Sequence, residues 1–198
     1  MSSSTPPHFM DRVAIVTGAG SGIGRATALA LAGAGAHVLG VGRRQEALEE
    51  TARAHRNIAI LPLDICREGA AEIVVADALE RWGRLDVLVN NALPGGAHYA
   101  ATKAALEQLT RSWALELAAE GVRVNAIAPG PTTTDVLAAA GLSQEAVDGM
   151  FDYERDRIPT GRLGAPEDVA GWIVRIADPL GQHITGQVLT VDGGLELV

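Results

Sequence analysis

The sequence predicts an α/β fold with a doubly wound, mostly parallel sheet. Short apolar runs, typical of buried parallel strands, alternate along the chain with amphipathic stretches at helical spacing. Glycines and polar residues cluster where these runs end, which is where a sheet of this kind binds ligands. The 198 residues are 47% apolar, which suits a single domain over residues 11–198. We expect residues 1–10 to form a flexible tail.

The first predicted strand, turn and helix lie within residues 13–34. Val13–Val16 is a short apolar run, and Ile23–Ala34 is rich in alanine and leucine. Four glycines lie between the strand and the beginning of the helix: Gly18, Gly20, Gly22 and Gly24. Strand, glycine turn and helix together present backbone N–H groups and a positive helix end to a phosphate. A simple turn is the alternative, because glycines serve there as well.

The remaining predicted elements continue the alternation. Strands are predicted at His37–Val41, Ile58–Leu63, Leu85–Val89, Val122–Ala128 and Gln187–Val191. Helices are predicted at Gln45–His55, at Gly69–Trp82, at Tyr99–Glu120 and from Pro166 onward. Residues 131–160 are predicted to be irregular with one helical patch, and to act as a mobile lid.

Charge and composition exclude several classes of partner. A formal net charge of −8 without a basic run argues against nucleic acid. The single cysteine, Cys66, excludes an internal disulfide and a cysteine-based zinc site, so no metal is expected. No apolar run has the length of a membrane span, and the first ten residues lack a signal-peptide core. We expect a cytoplasmic protein with no membrane partner.

Charged residues follow the second and third predicted strands. Arg43 and Arg44 stand where the adenosine ribose of a dinucleotide would lie. Arginine pairs with the 2′-phosphate of NADP, whereas an acidic residue would bind the free 2′-OH of NAD. The pair predicts NADP(H) over NAD(H), with a solvated helix start as the alternative. Asp64 is a candidate acceptor from the adenine amino group, or a helix-capping aspartate.

Tyr99 and Lys103 share a face of one predicted helix, because they stand four residues apart. Lys103 is the only lysine among sixteen basic residues, and Tyr99 is one of two tyrosines. A nearby ammonium lowers the pKa of a phenol, which makes Tyr99 a candidate acid/base near neutral pH. A surface tyrosine–lysine pair is the alternative.

Six motifs occur in a fixed order from Arg12 to the C-terminus. They are TGAGSGIG from Thr17, Asp64, NNA from Asn90, YAATK from Tyr99, Pro129-Gly130, and GQVLTVDGG from Gly186. In this order they resemble the short-chain dehydrogenase/reductase family. The resemblance implies a Rossmann-type fold, and hydride exchange between NAD(P) and a small carbonyl or alcohol substrate.

The resemblance also implies roles for individual residues. Tyr99 would be the acid/base, and Lys103 would hold the nicotinamide ribose and tune the tyrosine. The cofactor-binding set is Gly18, Ser21, Gly22, Ile23, Gly24, Arg43, Arg44, Asp64, Ile65, Asn90, Ala92, Tyr99, Lys103, Pro129, Gly130 and Thr132. Family members usually associate through two helices, the one that starts at the tyrosine and one that this sequence lacks. We therefore expect a homodimer with a rearranged interface, or a larger homo-oligomer.

The sequence departs from the family between Ala92 and Tyr99. One helix and one strand of the family are absent there, and the catalytic serine thirteen residues before the tyrosine falls within that loss; Asp86 stands at this spacing. We expect a sheet one strand narrower, with the Leu85 strand, Tyr99 helix and Val122 strand forming a new βαβ unit. The leading interpretation is an NADP(H)-dependent oxidoreductase impaired by loss of the serine. The alternative is a non-redox, cofactor-binding pseudoenzyme or interaction module.

Overall fold

A computed structural model of the chain describes residues 8–91, 99–139 and 141–198. The chain forms two compact units, which we call the first unit (residues 1–92 and 177–179) and the second unit (residues 93–176 and 180–198). Every strand ladder among the described residues is parallel. Strands alternate with helices along the chain, so the predicted α/β class is confirmed.

The first unit is a four-stranded sheet with helices between its strands. Its elements are β1 (Val13–Thr17), α1 (Gly22–Gly33), β2 (His37–Gly42), α2 (Gln45–Arg53), β3 (Ile58–Pro62), α3 (Ala70–Trp82) and β4 (Val87–Val89). The strand order is β3-β2-β1-β4. Every residue of β1 is buried, as the apolar run predicted.

The core of the first unit follows from the alternation of side chains along the strands. Val13 and Ile15 of β1 and their neighbours Leu39 and Val41 of β2 pack against α3. Helix α3 contributes Val74 and Ala78, which lie on its buried apolar stripe, to this core. This packing holds β1 at a fixed depth, and so it fixes where the loop after β1 emerges.

Part of the expected N-terminal tail is packed. Phe9 is 1% exposed, and its backbone N–H donates to the carbonyl of Ala34 at 3.3 Å. His8 Nδ1 lies 2.6 Å from Asp178 Oδ2. The buried side chain of Phe9 therefore joins the end of this segment to the first unit, whereas His8 and Met10 are exposed.

The second unit carries a two-stranded parallel sheet. Its elements are α4 (Tyr99–Glu116), β5 (Ala126–Pro129), α5 (Val136–Ala139), α6 (Gln144–Arg157), α7 (Pro166–Ala177) and β6 (Val188–Val191). Ala126 pairs with Val188 and Pro129 with Val191. β4 belongs to the four-stranded sheet of the first unit, and β5 to the two-stranded sheet of the second.

Two predicted segments differ from the structure. Residues 131–160 contain two helices rather than one helical patch. The longer, α6, is capped at Ser143, whose hydroxyl accepts from the Ala146 N–H at 3.3 Å. The strand predicted from Val122 begins only at Ala126. The Val122 N–H donates back to the Leu117 carbonyl, and the Val124 N–H donates to the Thr185 hydroxyl, so neither joins a strand ladder. Within the described ranges, no helix is long and apolar enough to span a membrane.

Candidate functional site

The loop between β1 and α1 is held against β2 by its backbone. Gly18 N–H and Ala19 N–H both donate to the carbonyl of Val41, at 2.8 and 3.3 Å. Gly18 and Gly22 have φ angles of +69° and +52°, in the left-handed region that glycine adopts without a steric penalty. The loop therefore leaves the strand in a sharp turn that other residues would strain.

A second requirement for glycine comes from close approach rather than backbone angle. A Cβ on Gly24 would lie 2.2 Å from the Gly18 carbonyl oxygen and 2.6 Å from Asn91 Nδ2. Such distances do not occur between real atoms, and the nearest obstacle is backbone. Gly24 thus lets the first turn of α1 sit directly on the loop.

The start of α1 leaves its backbone donors open. Ser21 is the N-cap residue with extended backbone, but its side chain makes no capping hydrogen bond. Among the described residues, the N–H groups of Gly20, Ser21, Gly22 and Ile23 donate to no carbonyl or side chain. Adjacent free N–H groups at a positive helix end fit the pyrophosphate of a dinucleotide.

Asn91 holds the loop and was not among the predicted site residues. Its side-chain Nδ2 donates to the Thr17 carbonyl at 3.3 Å, and its N–H donates to Thr17 Oγ1 at 2.8 Å. The predicted neighbour, Asn90, is exposed at the end of β4. The doubled asparagine marked the position, but only the packing distinguishes a loop-holding residue from an exposed one.

Arg43 and Arg44 are exposed beside the loop. Arg44 Nη2 donates to Ser21 Oγ at 3.0 Å, so the guanidinium reaches the start of α1. Gly42 is open: a Cβ there would lie 3.5 Å from Leu48, an ordinary contact distance. The structure therefore places positive charge next to the free N–H groups, with room for a side chain at Gly42.

Asp64 and Ile65 follow β3. One carboxylate oxygen of the exposed Asp64 accepts from the Cys66 N–H at 3.0 Å, as in an Asx turn. The N-cap of α3 is Gly69, so the helix-cap alternative for Asp64 is not realised. Ile65 is partly buried against the core below α3.

The predicted catalytic pair lies in the second unit. Tyr99 is the first residue of α4, and Lys103 follows one turn later with a half-buried side chain. The side chain of Tyr99 lies outside the described part of the structure, as does Ala92.

The remaining predicted cofactor residues follow β5 in the second unit. The Gly130 N–H donates to the Val191 carbonyl at 3.0 Å. A Cβ atom on Gly130 would lie 2.6 Å from the Cβ atom of Asp192. Thr132 Oγ1 donates to the Gly130 carbonyl at 2.9 Å. Pro129 and Gly130 border a cavity of about 510 Å³ that Glu107, Arg111 and Glu196 also line.

Asp86, which stands at the serine spacing, has a structural role at the opposite end of β4. Its carboxylate accepts from Arg12 and Arg84 at 2.8 and 2.6 Å, and from the Val13 N–H at 2.9 Å. Partial burial opposes ionisation, but the hydrogen bonds from Arg84, Val13 and Arg12 outweigh it and lower the pKa of Asp86 to about 2. A carboxylate that is ionised and fully engaged cannot polarise a substrate carbonyl.

Parallel strands, a glycine turn and a helix with free N–H groups define a Rossmann-type nucleotide-binding fold. Known proteins agree with this class. Residues 12–93 match the family profile described as short chain dehydrogenase, and residues 92–196 match the one described as Enoyl-(Acyl carrier protein) reductase. The chain belongs to the short-chain dehydrogenase/reductase family.

Relatives and solved structures give the range of this similarity. L-rhamnose 1-dehydrogenase (NAD(P)(+)) of Azotobacter vinelandii is 43% identical over 110 residues, which are 53% of this chain and 41% of the relative. A short-chain dehydrogenase/reductase of Caenorhabditis elegans, solved with cofactor, has a TM-score of 0.89 at 27% identity and covers 97% of both chains. A variant of actinorhodin polyketide ketoreductase, solved with NADPH, has a TM-score of 0.84 at 28% identity, over 93% of this chain and 97% of that one.

Proposed function

We propose that this protein is an NADP(H)-dependent oxidoreductase that interconverts a small carbonyl compound and an alcohol. The observation that carries the proposal is the start of α1, where free N–H groups lie next to Arg44. When bound, the nicotinamide cofactor supplies or accepts the hydride. The names of the relatives support an oxidoreductase: a dehydrogenase and a ketoreductase are among the proteins similar to this chain.

Binding of the cofactor is assigned to the first unit. The N–H groups from Gly20 to Ile23 hold the pyrophosphate, and Arg43 and Arg44 neutralise the 2′-phosphate. Asp64 accepts from the adenine amino group through the carboxylate oxygen that the Asx turn does not use. Asn90 at the end of β4 contacts a ribose, as the family resemblance implies.

Proton transfer is assigned to Tyr99 and Lys103. Tyr99 gives a proton to the substrate oxygen in reduction and takes it back in oxidation. The Lys103 ammonium, one helical turn away, favours the ionised phenol and orients the ribose. Thr132 contacts the nicotinamide carboxamide, as the family resemblance implies.

Turnover is expected to be slow, because the family resemblance implies that the catalytic serine falls within the segment absent between Ala92 and Tyr99. Loss of one donor to a developing oxyanion costs on the order of 10²–10³ in rate. Asp86 is no substitute, since its oxygens are engaged by Arg12 and Arg84. This observation favours a second candidate, a pseudoenzyme that binds the cofactor without redox turnover.

One experiment separates the two candidates. NADPH and NADH are titrated against the native protein and Tyr99→Phe, and turnover is screened on a panel of carbonyls and alcohols. The proposed enzyme binds NADPH in both forms, and only the native protein turns over. Binding without turnover of any substrate supports the pseudoenzyme, and absence of binding contradicts both candidates.

The second unit offers a surface for self-association. Leu106, Leu109 and Trp113 stand on one face of α4 at helical spacing and are each 41–42% exposed. Neighbouring apolar side chains left exposed on a helix are typical of an association surface. We infer a homodimer that buries this face, which we call the α4 seam.

A further inference from the structure

We propose that Thr51 is a positioning residue for cofactor binding, which it supports by fixing the orientation of the peptide between Ala19 and Gly20. This inference rests on the proposed cofactor site of the first unit. Thr51 lies on α2, 32 residues away from Ala19 in the sequence. Among the described residues, its hydroxyl bonds only to the carbonyls of Ala19 and Ala47, so its effect on the cofactor passes through the loop.

The hydrogen bond of Thr51 is buried and reaches across two elements. Thr51 is 1% exposed, and its Oγ1 lies 3.0 Å from the carbonyl oxygen of Ala19. The same hydroxyl lies 3.1 Å from the carbonyl of Ala47 on its own helix, so the two acceptors share one proton. Among the described residues, no backbone N–H donates to the Ala19 carbonyl.

The peptide plane links this carbonyl to the binding site. The carbonyl of Ala19 and the N–H of Gly20 belong to one planar trans peptide and point in opposite directions. Holding the oxygen toward α2 therefore aims the Gly20 N–H away from α2. It also keeps a partial negative charge from turning toward the phosphate.

Packing of the loop on α2 supports the same role. A Cβ on Gly20 would lie 3.1 Å from Cβ of Ala47, so the loop rests on the first turn of α2. The N–H groups of Gly18 and Ala19 hold the other side of the turn to Val41. Without the Thr51 hydroxyl, the Ala19 carbonyl is buried and unpaired, and it gains a partner only by turning outward.

The test compares three variants of nearly constant shape. Thr51→Val removes the hydroxyl, and Thr51→Ser keeps it. Thr27→Val is the matched control, because Thr27 on α1 is 0% exposed and its hydroxyl has no partner among the described residues. Affinity for NADPH is measured by titration, and exchange of the Gly18 and Ala19 amide hydrogens is measured without cofactor. Exchange at Ile15 in the centre of β1 reports global opening.

We expect Thr51→Val to bind NADPH roughly tenfold more weakly, and to exchange Gly18 and Ala19 faster while Ile15 is unchanged. Thr51→Ser and Thr27→Val should match the native protein in both measurements. Equal affinity in Thr51→Val, or equal losses in both valine variants, overturns the inference. If the native protein binds neither NADPH nor NADH, the proposed function fails. The hydrogen-exchange measurement then tests the fixation of the loop by itself. Faster exchange of Gly18 and Ala19 confined to Thr51→Val supports this fixation, and unchanged exchange overturns it.

Discussion

The carboxylate of Asp86 joins three parts of the first unit. It accepts hydrogen bonds from Arg12 before β1, from Arg84 before β4, and from the Val13 N–H at the start of β1. The Asp86 side chain is 11% exposed, whereas the side chains of Arg12 and Arg84 are 41% and 49% exposed. The amino ends of two paired strands therefore depend on one ionised group.

This arrangement predicts acid sensitivity. The pKa of Asp86 is lowered from 3.8 to about 2, so its contribution is complete above pH 4 and is lost as the pH falls toward 2. The shift corresponds to roughly 2 kcal/mol of unfolding free energy. In urea unfolding, Asp86→Asn should be less stable than the native protein by about that amount at pH 6.

The gap between native protein and Asp86→Asn should narrow steadily below pH 4. Asp168→Asn is the comparison variant for the loss of unfolding free energy. The Asp168–Arg162 pair has a more exposed carboxylate and a more exposed guanidinium than the Asp86 pairs. A gap that stays constant from pH 6 to pH 2.5 would contradict the assignment.

Single residues also show why part of the site was missed. Asn90 and Asn91 are the same residue type in adjacent positions, and the sequence does not tell which one turns inward. The chosen Asn90 is exposed, whereas Asn91 bonds to Thr17 beneath the loop. Thr51 gave no local signal at all, because its partner, Ala19, lies 32 residues away.

At the scale of elements, the turn from β1 to α1 depends on two glycines for different reasons. Gly18 supplies a positive φ, and Gly24 supplies space. Gly24→Ala should abolish NADPH binding, because its Cβ would strike the Gly18 carbonyl and force the loop open. Titration with NADPH measures the loss.

Gly33→Ala is the control on the same helix. No atom lies within 4 Å of a Cβ at Gly33, so this change should preserve affinity and stabilise α1 by about 0.5–1 kcal/mol. Equal affinity in the two alanine variants would show that close packing of α1 on the loop is not needed.

Helices and strands were predictable from the sequence where a pattern of neighbouring residues specifies them. The strands of the first unit are continuous apolar runs, and four of their residues form the core with α3 as the pattern indicated. One helical patch was predicted within residues 131–160 but not the bounds of α6, because its ends depend on a cap at Ser143 and on pairs of charged residues such as Arg155–Asp152. The late start of β5 depends on a backbone turn at Gly121, which periodicity does not report.

A specificity prediction connects the elements around β2. Gly42→Asp at the end of β2 places a carboxylate where the 2′-phosphate of NADP would lie, and Arg44→Ala removes a charge there. Both variants should lose the preference for NADPH, which we expect to be roughly tenfold or more. Paired titrations with NADPH and NADH measure it, and Arg53→Ala at the far end of α2 is the control. A native protein that prefers NADH would contradict the prediction.

At the scale of the whole molecule, the α4 seam predicts the oligomeric state. Leu109→Glu should shift the proposed dimer toward monomer, because it introduces a charge among Leu106 and Trp113. Leu115→Glu is the control, since Leu115 is 83% exposed and stands on another face of α4. Light scattering at micromolar concentration measures both, and a native monomer would contradict the prediction.

The contact between His8 and Asp178 sets an order of events during protein synthesis. All ladders of the four-stranded sheet join residues between Val13 and Val89, so that sheet can assemble while translation continues. Asp178 follows His8 by 170 positions, which takes roughly 10–30 s at about 5–20 residues per second. The His8–Asp178 contact therefore forms only after the whole sequence of the four-stranded sheet has been synthesised.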